Sequence, residues 1–204
     1  MRKKLQAAFA REKIGHALFY NWDWGLRFEL NTSVSYVEMF VSVFVRSRES
    51  LAYTFAKTNI TYLLIRFRSY DNNLQQPKEI RRLKRCGFKL SEQYLYDRSN
   101  YIHDEGQEDE FIEYHHEYLL PVEINSGNYL AALWAVCSSD LGIQPSAKID
   151  CYFIDFERRI VAHPYDDRGM DIVAMDRQSL YFLYRNYYHW LLEYDLNLMR
   201  KKFA

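Results

Sequence analysis

The sequence predicts an α+β domain: a mainly antiparallel sheet with a C-terminal three-stranded meander packed by long helices. Three observations carry this expectation. Between residues 148 and 175 the apolar pattern alternates with a period of two through KIDCYFID, RIVAHPY and MDIVAM, and connections this short join only antiparallel neighbours. Two long stretches, 35 to about 56 and 176 onward, repeat apolar residues at the spacing of about 3.6 that buries one helix face. Strands and helices are grouped rather than alternating, which argues against a parallel β-α-β array. With 49% hydrophobic residues, 7 glycines and 4 prolines in 204 residues, the chain can bury a sizeable core. No stretch reads as a linker, so residues 1–204 are expected to form a single domain.

Taken in order, Leu26, Phe28 and Leu30 alternate with Arg27 and Glu29, a short strand with one wet side. Ser35-x-x-Glu38 spells a capping box before a helix that turns Val37, Phe40, Val41, Phe44, Val45, Leu51 and Phe55 inward. ITYLLIRFRS, residues 60–69, is β-branched and aromatic-rich, as a central strand is. Pro77 and Gly87 frame KEIRRLKRC as a short helix. The acidic stretch from Asp104 leads into EFIEYHHEYLLPVEI, a long strand that must stop or lie at an edge where Pro121 removes a donor. Asn128 is placed to cap a helix carrying Leu130, Leu133, Trp134, Cys137 and Leu141, closed by Gly142. After the meander, Asp176 caps one last helix with Leu180, Leu183, Tyr184, Tyr187, Leu191, Tyr194 and Leu198 inward.

Composition narrows the function classes. Lys plus Arg equals Asp plus Glu, 27 against 27, so no global field gathers phosphates or an anionic membrane. A nucleic-acid partner and a membrane are not expected, and the basic cluster Lys78, Arg81, Arg82, Lys84 and Arg85 reads as solvated surface. The most apolar window, VSYVEMFVSVFV, is too short to span a bilayer and is broken by Glu38. LQAAFA, after Arg2, Lys3 and Lys4, stops too soon for a secretion signal. Cys86, Cys137 and Cys151 lack metal or redox spacing and read as reduced thiols of a cytoplasmic protein.

Four features could carry a function. In HPYDDRGMD, residues 163–171, Asp166 can start a turn and Gly169 can take the positive φ that closes it, which leaves Asp167, Arg168, Asp171 and His163 without a compulsory role. Read as a site, Asp166, Asp167 and Asp171 would hold a divalent cation while Arg168 stabilises an anion. The acidic run Asp104, Glu105, Glu108, Asp109 and Glu110 is either a solvated loop or a contact for a basic partner. Trp22 and Trp24, beside Phe19 and Tyr20, form either a stacking platform or core filling. Glu113, His115 and Glu117 share a strand face and could support a zinc ion or a base, although no further ligand is evident from spacing.

WGLRFEL, DLGIQPS at 140–146, YFIDFERRIVAHPYDDRGMDIVA and YRNYYHWLLEYD at 184–195 resemble the bacterial domain of unknown function numbered 3885. That resemblance spans most of the chain and is most specific at YDDRGMD. It implies a bacterial, cytosolic, single-domain protein and a shared hairpin, and brings no catalytic residue.

The first expectation is a non-enzymatic module that binds another protein, of the immunity type that caps a toxic enzyme. It has no catalytic residue, metal or cofactor, and its oligomeric state is open. The alternative is a metal-dependent phosphoester hydrolase with Asp166, Asp167 and Asp171 as ligands and His163 or His115 as base.

Overall fold

A computed structural model describes residues 1–9, 14–31, 33–70, 77–90, 92–103, 111–166 and 168–204. Its helices are α1 (Arg2–Phe9), α2 (Leu18–Asn21), α3 (Tyr36–Phe55), α4 (Lys78–Arg85), α5 (Gly127–Ser139), α6 (Gln178–Asn186) and α7 (Leu196–Phe203). Its strands are β1 (Trp24–Glu29), β2 (Thr61–Ser69), β3 (Leu95–His103), β4 (Phe111–Val122), β5 (Asp150–Asp155), β6 (Ile160–Pro164) and β7 (Gly169–Ala174). All seven join one antiparallel sheet in the order β1-β7-β6-β5-β2-β4-β3. The α+β class and the meander β5-β6-β7 follow the sequence pattern.

Period-two alternation divides the sheet's apolar residues between its two faces. Leu63, Ile65, Phe153, Ala162 and Ile172 meet Val43, Leu51 and Phe55 of α3, the buried side of α5, and Leu180 and Leu183 of α6. Their neighbours Leu64, Tyr152, Ile154, Val161 and Val173 pack under Phe9 of α1, Leu18 of α2 and Trp22. The two N-terminal helices therefore cover part of the sheet's second face, and α2 sets Phe19 against Gly25 of β1 where a wet side was expected. Burying each such Leu, Ile, Val or Phe contributes about 1.5–3 kcal/mol, so both layers matter to stability.

Several local expectations change. Ser35 flanks α3 but makes no side-chain cap; the Ser33 hydroxyl instead donates to Glu38 at 2.7 Å and accepts from the Ser35 amide at 3.1 Å. Ser126, not Asn128, caps α5, and Asn128 bridges to the Lys89 backbone through two 2.7 Å bonds. The last helix is broken. After α6 come two short turns of tighter helix, Tyr188–Trp190 and Glu193–Asp195, and Leu191 bridges to Phe28 at the outer edge of β1 before α7 begins. Tyr194 and Leu198, expected inward, are exposed. β3 had no sequence signal. Its pairing with β4 ends at Leu95–Leu119, so Pro121 falls where β4 has become an edge and needs no donor on that side.

Candidate functional site

The β6–β7 hairpin places HPYDDRGMD. Asp166 builds the turn: one carboxylate oxygen accepts from the Arg168 amide at 2.7 Å and the Gly169 amide at 3.1 Å, and the other accepts from the Arg168 guanidinium at 2.8 and 2.5 Å. Gly169 does not take the expected positive φ, which among the described glycines belongs to Gly87 and Gly142. It is needed for close approach instead, because the Tyr165 hydroxyl and ring occupy the space a Cβ would fill. Asp167 lies outside the described residues.

Asp171 faces inward from β7. Its carboxylate is fully buried and accepts from the Phe19 amide at 3.1 Å and from Arg27 Nε at 2.9 Å, Arg27 being its register partner on β1. Arg27, expected on a wet face, keeps only 14% of its side chain exposed. It also donates to Asp195 at 3.1 Å and to the Tyr20 hydroxyl at 3.0 Å, tying α2, β1, β7 and the segment before α7 together. Burial works against the guanidinium charge, but the Asp171 hydrogen bond and charge outweigh it and hold the Arg27 pKa above its ordinary value.

Asp166 and Asp171 are thus each engaged by an arginine of the same chain, Arg168 and Arg27 respectively. Trp22 is 3% exposed and fills the core, and Trp24 is partly buried and packs edge-on against Phe203. Glu113 is buried and braced by His115 at 2.5 Å, Arg68 at 3.5 Å and Tyr70 at 3.2 Å. Against the upward push of burial, these partners hold its carboxyl below the ordinary range. Glu117 pairs with Arg66 at 2.6 Å. That strand face is an ion-pair lattice across the sheet. The acidic run Asp104, Glu105, Glu108, Asp109 and Glu110 lies outside the described residues.

Two groupings were not anticipated. The first is a face of α3. Val37, Val41 and Val45, expected inward, are 73, 52 and 50% exposed, and Val34 and Tyr36 extend the patch. The helix instead turns Val43 to the core and packs Phe40 and Phe44 against Trp134 of α5, with ring centroids 4.9 and 6.4 Å apart. The second is a cavity of about 290 Å³ lined by His16, Ala17, Arg27, Asp140, His163, Tyr165, Asp166 and Arg168. His16 and His163 of this lining and Asp150, which lines a neighbouring cavity, bring their donor atoms within 4.8 Å of one another. The valine face had a sequence signal, a helix with more apolar positions than one buried side can use. The three donors are too far apart in the chain to form a motif.

Among the described residues no helix is long and apolar enough to cross a membrane. The model of the family described as a domain of unknown function (DUF3885) matches residues 1–195. Neither the comparison with curated proteins nor that with solved structures returned a match.

Proposed function

The chain belongs to the DUF3885 family, and from that premise we propose that it is a binding module for another protein, docking through the valine face of α3. The observation that carries this reading is the run Val34, Val37, Val41 and Val45, with Tyr36, standing in solvent on a helix that packs Val43, Leu51 and Phe55 into the core. Isolated exposed apolar residues need no explanation, but side chains at i, i+4 and i+8 form a continuous stripe. Such a stripe is the contact pattern of helix-in-groove recognition. The partner has a complementary apolar groove or helix. In the immunity form of this reading the partner is a toxic enzyme whose action the bound module blocks.

Neutral net charge supports a contact driven by shape and apolar burial rather than by long-range steering. The hydrolase reading lacks comparable support, because Asp166 and Asp171 are satisfied within the chain.

The test is affinity capture from the source cell with three baits: wild type, Val37→Ser/Val41→Ser/Val45→Ser, and the hairpin variant Asp166→Ala/Arg168→Ala. One stoichiometric protein, retained by the hairpin variant and lost by the valine variant, is the expected result. Its loss from the hairpin variant alone would move the contact to the β6–β7 turn and overturn the surface assigned here.

A further inference from the structure

We propose that His16, Asp150 and His163 form a binding site for one divalent cation of the zinc type. His163, in β6, is 0% exposed and stacks on Tyr152 of β5 with ring centroids 4.1 Å apart. Its Nδ1 lies 2.9 Å from the Cys151 carbonyl oxygen. A carbonyl only accepts, so Nδ1 carries the hydrogen and the lone pair resides on Nε2. That Nε2 is fully buried and has no hydrogen-bond partner.

A buried acceptor without a donor is unusual and costs the desolvation it never recovers. A histidine whose other nitrogen donates to a backbone carbonyl is oriented as metal-ligating histidines are. Strand β5 supplies both parts of this arrangement, with Asp150 as a ligand and the next residue's carbonyl as the orienting group.

The other two donors complete a suitable set. His16 Nε2 and Asp150 Oδ2 are 4.0 Å apart, and the His16 and His163 rings meet edge-on at 6.0 Å. Zinc bonds of about 2.0–2.1 Å in a tetrahedron place donors roughly 3.3 Å from one another. The His16–Asp150 pair must therefore close by roughly 0.7 Å and no pair by more than about 1.5 Å, and rotation of the His16 side chain, which is 71% exposed, can supply the part that involves His16. Two imidazoles and one carboxylate suit zinc and its borderline neighbours, not magnesium or calcium, which take oxygen ligands. Three protein ligands leave a position open toward the cavity that Arg27, Tyr165 and Arg168 also line. A water molecule or an anionic oxygen can fill it.

The test titrates chelator-treated protein with Zn²⁺ by calorimetry and with Co²⁺ by visible absorption. His16 and Asp150 are partly exposed, so His16→Ala and Asp150→Asn should keep the fold where a change at His163 need not. Expected are one ion per chain, the intense visible bands of tetrahedral Co²⁺, a rise in melting temperature with added zinc, and at least a hundredfold weaker binding in both variants. His115→Ala should bind as wild type does. Substoichiometric binding, wild-type affinity in His16→Ala, or loss in His115→Ala instead would overturn the site.

Discussion

Removing the Asp171 carboxylate should damage the protein more than any change in the hairpin above it. In Asp171→Ala, Arg27 loses its 2.9 Å partner while 86% of its side chain stays covered, and the Phe19 amide loses its 3.1 Å acceptor. Breaking a buried ion pair from one side costs about 3–5 kcal/mol. Asp195 and the Tyr20 hydroxyl still hold the guanidinium, which places this pair toward the lower end. The orphaned Phe19 amide adds about 1 kcal/mol or more. The sum is about 4 kcal/mol, or a fall in melting temperature of roughly 8–16 °C for a chain of this length. Urea unfolding followed by circular dichroism reads the difference, with Asp171→Leu/Arg27→Met as companion. If the strut is structural, the apolar pair should recover part of the loss, because the buried charge at position 27 is gone, while the buried Asp195 carboxylate keeps, among the described residues, only the Tyr20 hydroxyl as donor. A loss below about 1 kcal/mol in Asp171→Ala would refute the reasoning, since it would mean that Arg27 is readily rehydrated.

Three further outcomes follow. His116 stacks on Phe67, and its two ring nitrogens each lie 2.9 Å from a hydroxyl, of Ser69 and of Tyr96; burial, then the charges of Arg98 and His115, lower its pKa from 6.5 to about 4. Between those values the unfolded chain binds a proton that the native state refuses, so stability should fall as pH drops through that window, by up to about 3 kcal/mol, and His116→Gln should flatten the slope. Gly169→Ala should cost about 1–3 kcal/mol through the clash with Tyr165, and Tyr165→Ala in that background should recover part of it, measured by thermal unfolding. The triple valine-to-serine variant of α3 should unfold within about 1 kcal/mol of wild type, because those side chains bury little in the free protein.

What could be read from the sequence was whatever local chemistry decides. The meander was legible because KIDCYFID, RIVAHPY and MDIVAM alternate and their turns are short; so was the stop of α4 at Gly87, whose φ is +96°. β3 was hidden because an edge strand with exposed Leu95, Tyr96 and Tyr101 has no strict apolar alternation. Asp166 could be recognised as a turn builder, but the reason for Gly169 lies in a tyrosine ring folded over it and in the carbonyl of Phe28. Arg27 gave no sign of its role because Asp171 and Asp195 reach it only after the sheet forms and the C-terminal segment docks. The periodicity of α3 identified a helix correctly. It could not say which of two apolar sides faces inward, and the buried side proved to be the one with Val43, Phe40 and Phe44. His16, Asp150 and His163 converge through tertiary packing alone.

The most direct test of the binding-module account is site-specific photo-crosslinking in the source cell, with a benzophenone amino acid at Val41 and, as control, at the exposed Phe182 of α6. The account predicts one discrete adduct of this chain with a different protein from position 41 and none from position 182. Adducts equal in mass to two copies of this chain, or the same adduct from both positions, would contradict it.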